Sequence, residues 1–187
     1  MGLKKINYSK ISLPKKAELF RQTYDKAEVI GGVIVCKINT FADDFGGWFK
    51  EALRLDEDGN VVALKDFGVD FRPIQINVSY LASKTKRFWH IHPHQNEIWT
   101  TTGTILLGLI DFRKDSPTYE KRMKIILSPD KMVYIPSGIA HGFINQGREF
   151  VTLNYFADHH FSADETTQEC RIDPKIVSYD FVKSELM

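Results

Sequence analysis

The sequence has few cysteines, almost no net charge and no long apolar run, and each shortage excludes a class of protein. Two cysteines, Cys36 and Cys170, are too few for a disulfide-built secreted domain, and neither belongs to a Cys-x-x-Cys motif. A formal net charge of +1 gives no overall field that favours nucleic acid or an anionic membrane surface. The longest apolar stretch, residues 105–110, has the length of a strand rather than of a membrane span.

We expect no export signal from the composition of the N-terminal residues. They include Lys4, Lys5 and Lys10 but no apolar segment of signal-peptide length. We therefore expect reduced thiols and a cytoplasmic location. The length of 187 residues, with 43% hydrophobic and 26% charged residues, predicts one globular domain with a buried core.

Short β segments separated by turns follow a stretch of helix-like composition at residues 15–25. The segment Asp56-Glu57-Asp58-Gly59-Asn60 is a hairpin turn signal. Residues 176–182 form either a final strand or a packed extension. Many short strands with few helices predict a sandwich or a barrel. The segments predicted as strands are 29–38, 48–55, 61–64, 71–81, 86–92, 97–111, 123–127, 132–135, 141–144 and 150–156.

A His-x-His segment carries the first functional signal. His90 and His92 lie two residues apart on a predicted strand and therefore project from the same face. Residues 93–96 are turn formers, and a turn there folds Glu97 back against that face. Two imidazoles and a carboxylate are a ligand set for one divalent metal ion, such as Mn, Fe, Ni, Cu or Zn.

Two further residues near this segment have less specific expectations. His94 lies within the predicted turn, and we expect it to be exposed to solvent. Trp99 has the same strand parity as Glu97, so it either lines the pocket or belongs to the core.

A second segment supplies a third imidazole. Pro136 and Gly138 predict a tight turn, and His141 opens the next strand, followed by Asn145. The two segments together match the two-part cupin signature, His-x-His-x4-Glu with Gly103 after it, and Pro-x-Gly-x2-His-x3-Asn. The predicted fold is therefore all-β, a cupin-type β-barrel (a double-stranded β-helix or jelly roll) with minor helical segments at the termini. Its pocket is predicted to be lined by His90, His92, Glu97 and His141.

The whole chain is predicted to form a single cupin domain. Residues 1–40 are expected to be an N-terminal extension and edge strand, and residues 41–157 the barrel core. Residues 158–187 are expected to be a C-terminal extension that contributes to the pocket.

From residue 41 to about residue 180 the sequence resembles the dTDP-4-dehydrorhamnose 3,5-epimerases, which are cupins of deoxysugar and polysaccharide biosynthesis. The matching segments are 44–51, 75–79 (Gln-x-Asn-x-Ser), 87–90 (Arg-x-x-His), 111–118 (Asp-x-Arg-x-x-Ser-Pro-Thr) and 135–143 (Ile-Pro-x-Gly-x-Ala-His-Gly-Phe). Asp173-Pro174 resembles an acidic stretch near the family's C-terminus.

The resemblance implies removal of a proton next to the C4 ketone of a nucleotide-linked 4-keto-6-deoxyhexose, followed by reprotonation on the other face. It makes His90 the base and Asp173 the carboxylate that orients its imidazole. Arg87, Gln75 and Asn77 would hold the nucleotide diphosphate and neighbouring groups.

Three structural expectations accompany the resemblance. Strict alternation places Arg87 on the strand face opposite His90, so the role of Arg87 requires a β-bulge or a wide pocket rim. Residues 111–118 are expected to be a hairpin turn of structural importance only. Family members pair as homodimers, and residues 29–36 are a candidate exchanged edge strand by that analogy.

The sequence departs from the family at the residues that carry the chemistry. Glu97 stands where the family has a lysine near the enolate, His92 replaces a glutamine, and His160 is placed at the catalytic tyrosine. The family's arginine is also missing from residues 44–47. The two changes at His92 and Glu97 rebuild the metal-cupin ligand set, and a bound divalent cation would replace the lost positive charge.

Three functions follow from these observations. The first is a nucleotide-sugar epimerase or isomerase, with or without a metal. The second is a metal-dependent cupin enzyme of different chemistry, an isomerase, oxygenase or lyase acting on a free sugar or small acid. The third is a non-catalytic carbohydrate-binding cupin. If a metal binds through His90, the base is another group, for which His160, His159 and Tyr155 are candidates by position.

Overall fold

The computed structural model describes residues 9–19, 27–161 and 170–178. Within these ranges the regular secondary structure is strand apart from one 3-10 helix, which confirms the predicted all-β class. The elements are β1 Ile34–Lys37, β2 Thr40–Ala42, β3 Trp48–Lys50, a 3-10 helix Val62–Phe67, β4 Gln75–Leu81, β5 Lys86–Ile91, β6 Glu97–Thr101, β7 Ile105–Asp111, β8 Arg122–Leu127, β9 Lys131–Ile135, β10 Ile139–Ile144, β11 Val151–Ala157 and β12 Cys170–Arg171.

The strands form two five-stranded antiparallel sheets and a separate β2–β3 hairpin. The first sheet has the order β1-β9-β6-β11-β4, and the second has the order β12-β5-β10-β7-β8. Their inner faces pack together, because one buried cluster contains Trp99 and Leu153 from the first sheet with Leu107 and Phe143 from the second. This arrangement is the jelly roll expected of a cupin.

The predicted turn before the helix is present, but the strand predicted after it is not. The Asp56 carboxylate accepts the backbone N–H groups of Asp58 and Asn60, and Gly59 has a φ of 84°. Leu55 and Val61 form one isolated β-bridge across the turn. The prediction of a strand at residues 61–64 was wrong, because the chain instead turns into the 3-10 helix and so buries Leu64 completely.

The expected terminal helices are not seen in the described residues. Residues 15–19 contain no helix, and residues 20–25 of the predicted helix lie outside the described ranges. Residue 176 ends a turn and residues 177–178 are not in a strand, whereas residues 179–182 of the possible final strand lie outside the described ranges. The helix that the described ranges do contain is too short and too polar to cross a membrane.

One irregularity in β5 matters for the site. His141 of β10 pairs with His90, whereas Phe143 pairs with Arg87, so β5 uses three steps where β10 uses two. This extra residue is a β-bulge, which confirms the bulge expected from the position of Arg87. The bulge brings the β5 backbone so close to Gly142 that an added Cβ would overlap the Phe88 ring and lie 2.7 Å from the Arg87 carbonyl oxygen. A glycine is therefore required opposite the bulge.

Candidate active site

A cavity of about 390 Å³ lies between the two sheets. This volume is in the range of small-molecule pockets. Its lining residues come from both sheets and from the turn and tail beside them: Gln75, Asn77, Ser79, Arg87, His90, His92, Gln95, Glu97, Trp99, His141, Gly142, Phe143, Tyr155 and Phe161.

The second sheet supplies the basic side of the cavity, which we call the imidazole wall (β5, His92 immediately after it, and β10). His90 and His141 are cross-strand neighbours, with ring centres 6.1 Å apart. His92 stacks on His141 with ring centres 5.2 Å apart. Arg87 is exposed where it lines the cavity. The bulge therefore brings the guanidinium and the three imidazoles to one surface.

The first sheet supplies the opposite side, which we call the facing wall (β4, β6 and β11). Trp99, Tyr155 and Asn77 are aligned across its three strands by the pairing register. The Gln75 side-chain amide donates to Asn77 Oδ1 at 3.0 Å, and its Oε1 accepts the Phe161 backbone N–H at 3.0 Å. The two amides predicted to bind substrate thus lie in the cavity as a linked pair.

Glu97 is a buried carboxylate on the facing wall, held by two neutral N–H donors. Gln95 Nε2 donates to its Oε1 at 2.8 Å, and Trp99 Nε1 donates to its Oε2 at 2.8 Å. Trp99 both lines the cavity and packs in the core, so both expectations for it are correct.

Three of the four predicted metal ligands converge on one point. One ligand atom each from His92, Glu97 and His141 lies within 4.8 Å of the others, and all three residues are buried. His90 is not part of this group among the described residues. Burial, followed by the nearby His92 and His90, holds the pKa of His141 well below its usual value. A neutral imidazole with an available ring nitrogen is the form that binds metals.

The turns at this end of the barrel are fastened by one asparagine. Asn96 receives the Ser137 backbone N–H on its Oδ1 at 2.9 Å and donates its side-chain amide to Asp158 at 2.6 Å. Gly138 donates its backbone N–H to the His92 carbonyl oxygen at 2.8 Å. The two signature segments, distant in sequence, are thereby locked side by side.

Asn145, the last residue of the second signature, is structural. It is fully buried, and its side-chain amide donates to the carbonyl oxygens of Leu81, Ala82 and Glu149. It therefore ties the β10–β11 loop to the end of β4.

Two predicted catalytic residues are not among those that line the cavity. His160 is exposed, whereas Tyr155 on β11 reaches the cavity. Asp173 is exposed and its carboxylate accepts the Lys175 backbone N–H at 2.8 Å. Its segment does run beside the site, because Arg171 pairs with His90. The role of Asp173 in orienting His90 stays a prediction.

Some lining residues were not singled out from the sequence. Ser79 has the parity of Gln75 and Asn77, so strand alternation alone would have found it. Gln95 lies in a turn of polar residues yet is only 7% exposed. Phe161 follows β11 and is exposed at the cavity, with no sequence signal for that position.

The hairpin at residues 111–118 is built around a buried carboxylate. Asp111 is fully buried and accepts hydrogen bonds from Arg113, Ser116 and Thr118. Burial alone would raise the pKa of Asp111, but these hydrogen bonds outweigh it and hold the pKa well below its usual value. The same Arg113 donates to the Gly31 carbonyl oxygen, which fastens the N-terminal segment. These contacts support the structural role expected for this hairpin.

Known proteins resemble this chain over most of its length. A family model described as dTDP-4-dehydrorhamnose 3,5-epimerase matches residues 27–184. The spore coat polysaccharide biosynthesis protein SpsL of Bacillus subtilis (strain 168) is 29% identical over 144 residues, which are 75% of this chain and 88% of SpsL.

Two crystal structures of dTDP-4-dehydrorhamnose 3,5-epimerases share the fold. The enzyme from Bacillus anthracis str. Ames, with TDP and PPi bound, is 28% identical with a TM-score of 0.63, over 79% of this chain and 83% of that one. The enzyme from Sulfolobus tokodaii is 30% identical with a TM-score of 0.61, over 79% and 81%. Together with the family match, these likenesses show that the chain belongs to the dTDP-4-dehydrorhamnose 3,5-epimerase family, a family of isomerases.

Proposed function

We propose that the protein is an epimerase or isomerase of nucleotide-linked 4-keto-deoxysugars that removes and returns a proton next to the keto group. The observation that carries this proposal is the placement of His90 and Tyr155 in one cavity on opposite walls. Inversion at carbon needs a base on one face of the sugar and an acid on the other.

The chemistry follows from the two residues. His90 takes the proton from the carbon adjacent to the ketone, and the electrons of the C–H bond form the enolate. The Tyr155 hydroxyl then donates its proton to the opposite face of that carbon, which restores the ketone with inverted configuration. Proton exchange with water returns His90 and Tyr155 to their starting forms. In this proposal Tyr155 is the acid, in place of His160, which the sequence comparison had set at the position of the family's catalytic tyrosine.

Substrate binding is proposed for Arg87, Gln75 and Asn77. Arg87 offers a guanidinium to a diphosphate, which it can bind through two parallel hydrogen bonds. The amides of Gln75 and Asn77 offer neutral donors and acceptors to groups beside the reacting carbon. The related enzyme from Bacillus anthracis was crystallised with TDP and PPi, which supports a nucleotide-linked ligand here.

A divalent metal ion is proposed as a cofactor of the same cavity. The donor set of His92, Glu97 and His141 fits Mn, Fe, Ni, Cu or Zn. When bound, such an ion supplies positive charge that stabilises a keto or enolate oxygen. The same donor set favours a second candidate function, a metal-dependent cupin enzyme that acts on a free sugar or small acid.

A homodimer is proposed as the working form. On β4, which ends the first sheet, Ile76, Val78 and Tyr80 are 64%, 64% and 68% exposed and point away from the cavity. An apolar edge strand is a favourable surface for a second copy of the chain. We expect Val78→Lys to yield monomer in light scattering after gel filtration, whereas Lys124→Glu on the other sheet leaves the dimer intact.

We also propose a cytoplasmic location. Neither Cys36 nor Cys170 forms a disulfide bond, which suits a reducing compartment. Fractionation of cells that express the untagged protein tests this proposal. Recovery with periplasmic or secreted proteins would contradict it.

Deuterium uptake tests the proposed reaction directly. Nucleotide-linked 4-keto-6-deoxyhexoses, with thymidine or uridine as the nucleoside, are incubated with the protein in heavy water and followed by NMR. We expect enzyme-dependent loss of a proton signal at C3 or C5. The matched control is the same nucleotide sugar with a C4 hydroxyl, whose neighbouring protons are not acidic. Failure to exchange any keto sugar of the panel would reject the epimerase proposal.

A further inference from the structure

We infer that His92, Glu97 and His141 are the ligands that the described part of the chain supplies to one first-row divalent metal ion, with Gln95 and Trp99 holding the carboxylate in place. His90 lies outside this site. The metal site is inferred from the geometry of the cavity. The role of His90 as a base, by contrast, rests on the proposed epimerase function.

The distances fit an ion better than a set of direct hydrogen bonds. His92 Nε2 lies 3.5 Å from Glu97 Oε1, and His141 Nε2 lies 3.7 Å from Glu97 Oε2. Ordinary N–H···O hydrogen bonds are about 2.7–3.2 Å long. Two ligand atoms that each bind one ion at about 2.1 Å stand roughly 3.0–3.4 Å apart, close to the separations in the cavity.

The tautomer of His141 supports an ion between it and Glu97. His141 Nδ1 faces the Ile139 carbonyl oxygen at 3.1 Å. A carbonyl oxygen only accepts, so we assign the ring hydrogen to Nδ1, and Nε2 presents its lone pair to the carboxylate. Two lone pairs that face each other repel. A proton shared between them would draw the atoms to about 2.7–2.9 Å, whereas a metal ion accepts both at the wider spacing.

The carboxylate is oriented from its outer side. Each oxygen of Glu97 receives one neutral N–H, from Gln95 on Oε1 and from Trp99 on Oε2, and turns toward one imidazole. Trp99 also packs edge-on against the His141 ring, with centres 5.0 Å apart. Such outer contacts fix ligand geometry in metal sites. Gln95 and Trp99 are therefore positioning residues for the metal.

The exclusion of His90 separates two roles that the sequence left in conflict. His90 is a neighbour of His141, but it does not belong to the group of ligand atoms within 4.8 Å. A metal held by the other three residues would not use the His90 imidazole as a ligand, so metal binding and a base role for His90 are compatible.

Metal titration of the full-length protein tests the assignment. After dialysis against a chelator, the protein is titrated with Co²⁺ alone, followed by visible absorption, and with Zn²⁺ alone, followed by calorimetry. We expect one equivalent of each ion and ligand-field bands for Co²⁺. His92→Ala and His141→Ala should weaken binding by at least about 100-fold, and Gln95→Leu by about 10-fold.

The variants His90→Asn and His94→Asn are the matched controls. We expect both to bind Zn²⁺ within about threefold of the original protein, because His90 is outside the site and His94 lies in an exposed turn. Circular dichroism identifies any variant that fails to fold. If a ligand variant does not fold, the titrations of the wild-type protein and of His90→Asn still test the inference.

Two results would overturn the inference. The first is the absence of Co²⁺ and Zn²⁺ binding by the wild-type protein. The second is a loss of affinity in His90→Asn as large as in His141→Ala. Deuterium exchange is measured separately, so metal binding without exchange rejects only the epimerase function. Exchange by a protein that binds neither ion rejects only the metal site.

Discussion

The two walls of the cavity are built differently from neighbouring antiparallel strands. The facing wall has a continuous register from Trp99 through Tyr155 to Asn77, and its polar groups are amides, a phenol and one carboxylate. The imidazole wall is broken by the bulge between Arg87 and His90 and carries the basic groups. Regular pairing aligns the neutral polar groups and Glu97, whereas the bulged strand and its neighbour gather the guanidinium and the three imidazoles.

This difference shows how a β-bulge changes the alternation of side chains between the two faces of a strand. Without the bulge, an odd separation would send Arg87 and His90 to opposite faces of β5. The extra residue puts both on one surface, and Gly142 opposite supplies the room. The facing wall needs no such device, because its cavity residues are separated by even numbers along each strand.

The largest expected effect comes from removing His90, the proposed base on the imidazole wall. His90→Asn should lower the rate of deuterium exchange by about 10³-fold, because a positioned base contributes about 10²–10⁴-fold. NMR with a nucleotide-linked 4-keto sugar measures the rate. His94→Asn, in the exposed turn, is the control and should leave the rate unchanged. Exchange within about fivefold of the original rate in His90→Asn would remove His90 from the mechanism.

The next effect is expected on the facing wall. Tyr155→Phe removes the hydroxyl that donates to the opposite face, so inversion should fall by about 10²-fold. His90 should still remove a proton and return deuterium to the same face. The measurement is the ratio of deuterium incorporation to inverted product, which we expect to rise. An unchanged ratio would show that the acid is another group.

A smaller effect is expected from filling the space beside the bulge. Gly142→Ala should lower the free energy of unfolding by about 2 kcal/mol, because its Cβ would overlap Phe88 and approach the Arg87 carbonyl oxygen. Urea denaturation measures this change. Gly31→Ala is the control, since its nearest non-local atom would be 3.5 Å away. An unchanged free energy of unfolding in Gly142→Ala would mean that the strand tolerates closer contact than its packing indicates.

The smallest effect is expected at Asp111, at the end of strand β7 beside the imidazole wall. Asp111→Asn should lower the free energy of unfolding by about 1.5 kcal/mol at pH 7, because the hydrogen bonds from Arg113, Ser116 and Thr118 lose their charged acceptor. Urea denaturation measures this change, with Asp115→Asn, exposed in the same hairpin, as the control.

The pH dependence of this effect has a defined sign. The pKa of Asp111 is lowered in the folded protein, so its contribution is fully present above the ordinary value of 3.8 and declines as the pH falls below it. The difference between the original protein and Asp111→Asn should therefore shrink at pH 3. A difference that grows on acidification would contradict the assignment.

Local patterns predicted the parts of the site that depend on short-range geometry. The spacing of His90 and His92, and the turn before Glu97, needed only strand alternation and turn chemistry. The bulge followed from a conflict between that alternation and the family's Arg-x-x-His segment. These features are determined within about ten residues, where the sequence is informative.

The parts that were missed depend on contacts between distant segments. The sequence comparison set His160 at the position of the family's catalytic tyrosine, whereas the fold places Tyr155 in the cavity beside Asn77. The strand predicted at residues 61–64 was replaced by a helix that buries Leu64. Gln95 looked like an ordinary turn residue until the fold placed it against Glu97. Tertiary packing decides each of these cases.

Strand β4 serves two surfaces at once. Gln75, Asn77 and Ser79 line the cavity, and the alternate residues Ile76, Val78 and Tyr80 are exposed on the other side. Any strand that joins this edge would therefore stiffen the backbone that carries the amides for the ligand. Self-association and ligand binding would then be thermodynamically linked. The affinity for the proposed sugar nucleotide would therefore rise with protein concentration.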